Sequence, residues 1–358
     1  MAEPLVRVAL ALAFVGALTS KAEAQTPVPI KVVVVTMFEH GRDIGDRPGE
    51  FQLWVERERL DTVFPFPAGY RDLRLNAEKR ILGMVTGPGV TNATASVMAL
   101  GADARFDLSK AYWLVAGIAG VDPEDASVGS AAWATYVADG DLVREFDPRE
   151  SPSGWPYARL PIGATAPNRM PEMVRYETVV YELNRTLSDW AYRLTRTVVL
   201  ADSPELGAYR AQYKDHPSAS RPPFVLQGDS LGGSTFWHGR ILNQWANDWM
   251  RLWTKGRGNF VMTNMEDNGT ANALQRLSRT GRADYNRLLV LRTASNYSMP
   301  PPGVHATASI FAPYVGLIPS LEAAYRVGSV VVHDLVANWS KWERRIPGNA
   351  DSPKQDGR

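Results

Sequence analysis

Apolar positions along this chain alternate between short continuous runs and longer stretches that repeat every three or four residues. Lys31 to Met37 (Lys-Val-Val-Val-Val-Thr-Met) is apolar and β-branched at consecutive positions, the signature of a strand covered on both faces in a parallel sheet. Ala111 to Ile118 reads as another buried strand, and Ser130 to Ala138, Phe224 to Ser230, Asn259 to Thr263 and Arg287 to Leu291 as further strands. Tyr70 to Leu75 alternates and Arg80 to Thr86 is apolar, which predicts a hairpin or two adjacent strands. Helical spacing runs through Phe51 to Leu60, Glu177 to Leu194 and Leu321 to Trp339, where Tyr325, Gly328, Val332, Leu335 and Trp339 share a face. An aromatic-rich helix is expected over His238 to Trp253, and another from Met265-Glu266-Asp267 to Thr280. Ser203-Pro204-Glu205 opens a helix, with serine as N-cap and proline at the first position.

Strands and helices that alternate in this way predict an α/β fold: a mostly parallel central sheet flanked by helices. No shift of composition divides residues 31–345, which are read as one domain; residues 346–358 are polar and expected to be a disordered tail. The proline- and aromatic-rich stretch from Asp147 to Pro171 is long for a connection, and is expected to be a pocket lid or a subunit contact.

The stretch from Met84 to Gly101 organises the chemistry. An apolar run ends in Thr86-Gly87-Pro88-Gly89 and passes into small and methyl-bearing residues, so it reads as strand, tight glycine loop and helix. Such a loop brings backbone N–H groups and a helix N-terminus to the sheet edge, where an anion or a sugar can sit; a plain structural turn is the alternative. No Gly-Lys-Ser/Thr follows, and Asn92 occupies the place of a third glycine, so neither a P-loop nor a dinucleotide fingerprint is present. A second glycine loop, Gly117-Ile-Ala-Gly120, is expected beside the first.

Composition narrows the picture. Formal net charge is +1 and basic residues are scattered, which argues against a nucleic-acid partner. The chain has no cysteine, removing disulfides and thiolate chemistry, and its five histidines lack metal-ligand spacing, so no metal and no cofactor is expected. Arg7, the apolar run Val8 to Leu18 and Ala22-Glu23-Ala24 read as a secretory signal over residues 1–24, cleaved near Ala24, which predicts a periplasmic or secreted protein. After Ile30 no apolar stretch is long enough for a membrane-spanning helix.

Phe106-Asp-Leu-Ser-Lys, Gly117-Ile-Ala-Gly-Val-Asp-Pro, Asn264-Met-Glu-Asp-Asn-Gly-Thr and Leu291-Arg-Thr-Ala-Ser-Asn-Tyr carry a resemblance, over residues 31 to 340, to the purine nucleoside permease family of fungi and bacteria. A more distant likeness is to the nucleoside phosphorylases and methylthioadenosine nucleosidases. Gly87-Pro-Gly-Val is similar to their glycine loop, Gly117 to Gly120 to their second loop, Gly228-Asp229 to their Gly-Asp and Met265-Glu266 to their Met-Glu. The resemblance implies purine nucleosides as ligands and a homo-oligomer. It also implies a ribosyl pocket walled by Thr86, Gly87, Gly89, Asn92, Gly117, Asp229 and Met265, with Glu266 accepting from the ribose 2′- and 3′-hydroxyls. A carboxylate favoured by a helix N-terminus is the plainer reading of Glu266.

In the same likeness Asn296 stands where an aspartate protonates the leaving base. An amide cannot be that acid, but it can hydrogen-bond purine N7 and stabilise developing charge, or simply satisfy its own loop. Glu39 falls near the water-activating glutamate of the nucleosidases, with a solvated loop carboxylate as the alternative. Phe236, Trp237 and Trp155 are candidates for stacking the base, and His238 for a base contact or a helix start. Arg42 and Arg47 would hold phosphate, were phosphate a co-substrate. Two functions are compatible with these residues: a nucleosidase, with a phosphorylase second, or a non-catalytic nucleoside-binding component serving a separate transporter.

Overall fold

The computed structural model describes residues 26–173 and 177–348. The expected signal segment, 1–24, and most of the expected tail, 349–358, lie outside the described residues.

The run at the start of the chain forms strand β1 (Val32–Thr36), buried at every position. Its side chains divide by parity: Val33 and Val35 enter one core and Val32 and Val34 the other, on the two faces of the sheet. Helices α2 (Val90–Ala102) and α6 (Asp267–Arg279) cover the first face, through Val97, Leu100, Ala271, Leu274 and Leu277. Helices α1 (Gln52–Arg57), α3 (Arg185–Thr195) and α7 (Leu317–Ala337) cover the second, through Trp54, Leu187, Val327 and Leu335.

Strand order from one edge is β2 (Thr62–Phe64), β3 (Leu73–Asn76), β4 (Ile81–Val85), β1, β5 (Tyr112–Val121), β11 (Phe260–Asn264), β10 (Asp229–Gly232), β7 (Tyr136–Asp139) and β8 (Val180–Glu182). β6 (Ala131–Trp133), β9 (Val225–Gln227) and β12 (Leu288–Tyr297) branch from β5, with β12 running parallel to it. The centre is parallel, β4 with β1 and β1 with β5. The β3–β4 hairpin expected from the alternating and apolar runs is present, with Asn76 opposite Ile81.

One irregularity positions everything that follows. Parallel pairing of β1 with β5 ends at Val115, and antiparallel pairing of β11 with β5 covers only Gly120 and Val121. Residues 116–119 of β5 therefore lack a strand neighbour on that side. The C-terminal ends of β1 and β11 face each other across the gap, an analogue of the switch point at which open α/β sheets bind ligands.

Several expected boundaries differ, each for a local reason. Gly117 to Gly120 is not a loop but the far half of β5, and Arg292 to Asn296 continues β12, because these two segments pair with each other. Ser130 to Ala138 is two strands, broken at Ala134–Thr135, where the Asp229 carboxylate accepts from the N–H of Thr135 at 2.9 Å and of Tyr136 at 2.7 Å. Within Glu177 to Leu194, the β-branched start forms the edge strand β8, paired with β7, and the helix begins only at Arg185, where Asn184 accepts from Leu187 N–H. The Ser203 cap is present, its hydroxyl accepting from Leu206 N–H in front of α4 (Pro204–Arg210).

The excursion at 147–171 packs against α5 (Arg240–Trp253). The Tyr157 hydroxyl donates to Asp248, and the Arg159 guanidinium stacks 4.6 Å over Trp245. Its described residues do not line the pocket, so the lid expected there is not formed by them. No helix among the described residues is long and apolar enough to cross a membrane.

Candidate functional site

The gap beside β5 opens into a pocket of about 740 Å³, counting the open space at its mouth. Met37, Phe38 and Glu50 reach it from the end of β1, Ile118 to Gly120 from β5, Asn264 to Glu266 from β11, and Arg292, Ser295 and Asn296 from β12. Thr235, Phe236, Trp237 and Tyr314 complete the lining.

The unpaired stretch of β5 leaves backbone polar groups that side chains must satisfy. Ile118 N–H donates to Glu50 Oε1 and Met37 N–H to Glu50 Oε2, both at 2.7 Å. Ile118 C=O accepts from Arg292 Nη1 at 2.9 Å. Gly117 makes this approach feasible: a Cβ there would run into Met37, the Glu50 carboxylate and the Arg292 guanidinium.

Arg292 is 2% exposed and serves two carboxylates. Nη2 donates to Glu266 Oε2 at 3.0 Å and to Asp267 Oδ1 at 2.7 Å, and Nε adds a second bond to Asp267. Asn264 Oδ1 accepts from the N–H groups of Glu266 and Asp267, both at 3.0 Å, which fixes the turn into α6. Burial raises the Glu266 pKa, opposed by the charge of Arg292. Burial also pushes Glu50 up to about 8, against the pull of Arg292 and with repulsion from Glu266 adding to the rise. The pocket thus holds a carboxyl group that changes protonation state just above neutrality.

The glycine loop reaches this cluster in an unexpected way. Gly87 and Gly89 both have positive φ, +83° and +89°, and at Gly87 any Cβ would strike the Tyr70 ring. Gly89 N–H donates to Glu266 Oε1 at 3.3 Å, and Val90 N–H to the Ser234 hydroxyl at 3.1 Å. These amides at the start of α2, which would otherwise cradle an anion, already hold a carboxylate and a hydroxyl of the protein itself.

Of the residues singled out from the sequence, Trp237, Met265, Glu266 and Asn296 line the pocket, and Gly89 supports it by holding Glu266. Asn296 Nδ2 donates to Tyr297 C=O at 2.9 Å, and its Oδ1 accepts from Ser295 Oγ at 3.2 Å. Phe236 lines the pocket as well; Trp155 instead packs edge-on against Phe146.

The other candidates are placed elsewhere. Glu39 caps the loop and the start of α1, accepting from the N–H groups of Gly49, Phe51 and Gln52, so its carboxylate is spent on backbone. Asp229 holds the β6–β7 break together and also accepts from Asn259 N–H at 2.8 Å. Asn92 is exposed and folds back on Pro88 C=O at 2.7 Å, and the Thr86 hydroxyl turns to Gly87 C=O. Gly117 lies behind the wall rather than on it. Arg42 pairs with Asp46 in an exposed loop, away from the pocket, and Arg47 does not line it. Sequence reasoning missed Glu50 and Arg292. Arg292 sat inside a quoted motif; for Glu50 the available signal was a second glutamate in the loop after β1.

A family model described as purine nucleoside permease (NUP) matches residues 29–347. A Schizosaccharomyces pombe protein described as "Probable purine nucleoside permease C285.05" is 33% identical, over 76% of this chain and 80% of that protein. The Candida albicans purine nucleoside permease is 31% identical, over 87% of this chain and 76% of its own length. Among solved structures, the futalosine hydrolase of Helicobacter pylori aligns over 85% of this chain and 98% of that one, with TM-score 0.51 and 14% identity. The 5′-methylthioadenosine/S-adenosylhomocysteine nucleosidase of the same organism gives the same coverage, score and identity. At that identity the likeness speaks for the fold.

Proposed function

The chain belongs to the purine nucleoside permease family, and on that premise we propose that its pocket binds a purine nucleoside and cleaves the N-glycosidic bond with water. The observation that carries this reading is the pair of buried carboxyls, Glu50 and Glu266, flanking Arg292 in a pocket also lined by Phe38, Phe236, Trp237 and Tyr314. Glu266 accepts from the two ribose hydroxyls, and the sugar lies between it and Glu50. Glu50, as carboxylate, takes a proton from a water whose oxygen bonds to the anomeric carbon. The bond from that carbon to the base nitrogen breaks, and its electron pair leaves with the purine. Asn296 donates a hydrogen bond to the departing base, which takes its proton from solvent.

Two observations favour water over phosphate. Arg292 is the only cationic side chain lining the pocket among the described residues, and its N–H groups are engaged by Glu266, Asp267 and Ile118. The amides at the start of α2 are engaged as well. The apolar leader Val8 to Leu18 supports a place for the mature protein in the periplasm or outside the cell, which recovery from those fractions checks.

Purified protein incubated with inosine, adenosine or guanosine, with and without phosphate, should release free base in both conditions, as read by chromatography. Base released only with phosphate would make the protein a phosphorylase. Nucleoside bound but never cleaved would support a second reading, a binding component that supplies a separate transporter; an amide at Asn296 in place of an acid favours it. Glu266→Gln is expected to weaken nucleoside binding roughly 10- to 100-fold, the worth of hydrogen bonds to a charged group. A 2′,3′-dideoxynucleoside should not distinguish the variant from the wild type; equal losses on both ligands would remove the ribose assignment.

A further inference from the structure

A second cavity of about 930 Å³, counting its mouth, adjoins the first and shares Phe236, Ser295, Asn296 and Tyr314 with it. The Tyr314 hydroxyl donates to Ser295 Oγ at 2.6 Å, so this ring stands at the boundary between the two spaces. Beyond it, Tyr209 and Tyr297 lie with ring centroids 5.6 Å apart, and Ile310, Pro313 and Val315 supply aliphatic wall. No Asp, Glu, Lys or Arg lines the second cavity among the described residues.

Its one titratable imidazole is neutral. Burial lowers the His238 pKa, the Tyr297 backbone opposes the shift without completing a hydrogen bond, and Arg240 adds to it. Both ring nitrogens are buried with no hydrogen-bonding partner. The cavity therefore offers mainly aromatic and aliphatic surface, with the uncharged side chains of Ser295, Asn296, Ser309 and the tyrosines as its polar groups.

The polarity of the first pocket sets the direction in which a ligand enters the second. Glu50 and Glu266 line the first pocket only, whereas Asn296 and Phe236 line both. A nucleoside with its ribose at the carboxyls has its base at Asn296, and the outer edge of that base faces the second cavity. We propose that this cavity receives an apolar substituent on the exocyclic nitrogen of the purine, so that the site accepts nucleosides bearing a group of benzyl size there. This inference rests on the nucleoside reading above and extends it to a class of substituted bases.

Binding of three probes by the full-length mature protein tests it: adenosine, N6-benzyladenosine and 5′-benzylthio-5′-deoxyadenosine. Wild-type protein should bind N6-benzyladenosine about tenfold or more tightly than adenosine, the worth of burying an aromatic ring. Filling the cavity by Ala312→Trp, at an exposed position of its wall, should remove that preference; Ile310→Trp, at a second exposed position, should do the same. Wild-type protein that binds N6-benzyladenosine tenfold more weakly than adenosine would overturn the proposal. So would a preference for the 5′-substituted probe that Ala312→Trp abolishes, because the cavity would then serve the sugar end. Adenosine is the reference that separates the two readings: if it binds and the N6-substituted probe does not, only this inference fails, and if none of the three binds, the nucleoside reading fails with it.

Discussion

Glu50→Gln is expected to slow release of free base by about 10²- to 10⁴-fold, the usual worth of a positioned general base, while nucleoside binding changes much less. The pH dependence should identify the group. Glu50 is pushed up to about 8 by burial, so in wild-type protein the active carboxylate accumulates, and kcat/KM climbs, as pH rises toward and through that value. The variant should lose this limb.

Stability should run the opposite way. The folded protein holds the Glu50 proton up to about pH 8, whereas an unfolded glutamate releases it near its ordinary value of about 4.3. Between those values the native state binds more protons than the unfolded one, so unfolding becomes easier as pH rises, by at most about 1.4 kcal/mol per pH unit for one group. Glutamine cannot titrate, and the variant should show a shallower decline across this window. It begins from a small deficit, since Glu50 accepts from two backbone N–H groups and an amide has one acceptor oxygen. Urea denaturation at pH 5, 7 and 9 checks both slopes; equal slopes would mean that Glu50 is not protonated in the native state.

Arg292→Met carries the largest expected effect on stability. The guanidinium is 2% exposed and bonds to Glu266, Asp267 and Ile118 C=O. Methionine fills much of the volume but leaves two buried carboxylates without a cation, a loss of about 3–5 kcal/mol when one partner of a buried ion pair is removed. The deficit should shrink at pH 5, where Glu266, its pKa raised by burial and further by loss of the cation, takes up a proton. Denaturant midpoints at pH 8 and pH 5 provide the measurement, and a deficit under about 1 kcal/mol at pH 8 would show that Arg292 does not hold the cluster together.

The candidate site was partly legible in the chain. Met265-Glu266 and Asn296 were readable because each lies in a string of residues that carries the family resemblance, and both line the pocket. Glu39 and Glu50 show why the rest was not. They occupy one loop, and either carboxylate satisfies the same local pattern. A backbone bond from Glu50 N–H to Phe38 C=O, at 3.1 Å, closes the loop on itself and brings position 50 to the end of β1, while Glu39 turns to the amides that start α1. Asp229 misled in the same manner: a Gly-Asp pair at a strand end looks the same whether the acid faces a ligand or splints a neighbouring strand.

What the sequence by itself determined was the set of strands buried on both faces, the helices that cover them and the glycine loop, since periodicity and backbone preference are properties of adjacent residues. Val32 to Val35 needed no partner to be read as a central strand. Tertiary structure alone decided where β5 loses its neighbour, because pairing register depends on strands far apart in the chain. That gap exposes the N–H and C=O of Ile118, which draw in Glu50 from one segment and Arg292 from another. Burial next to that cation then sets the protonation of Glu50, and neither burial nor proximity across a separation of 242 positions is written in any local stretch of residues.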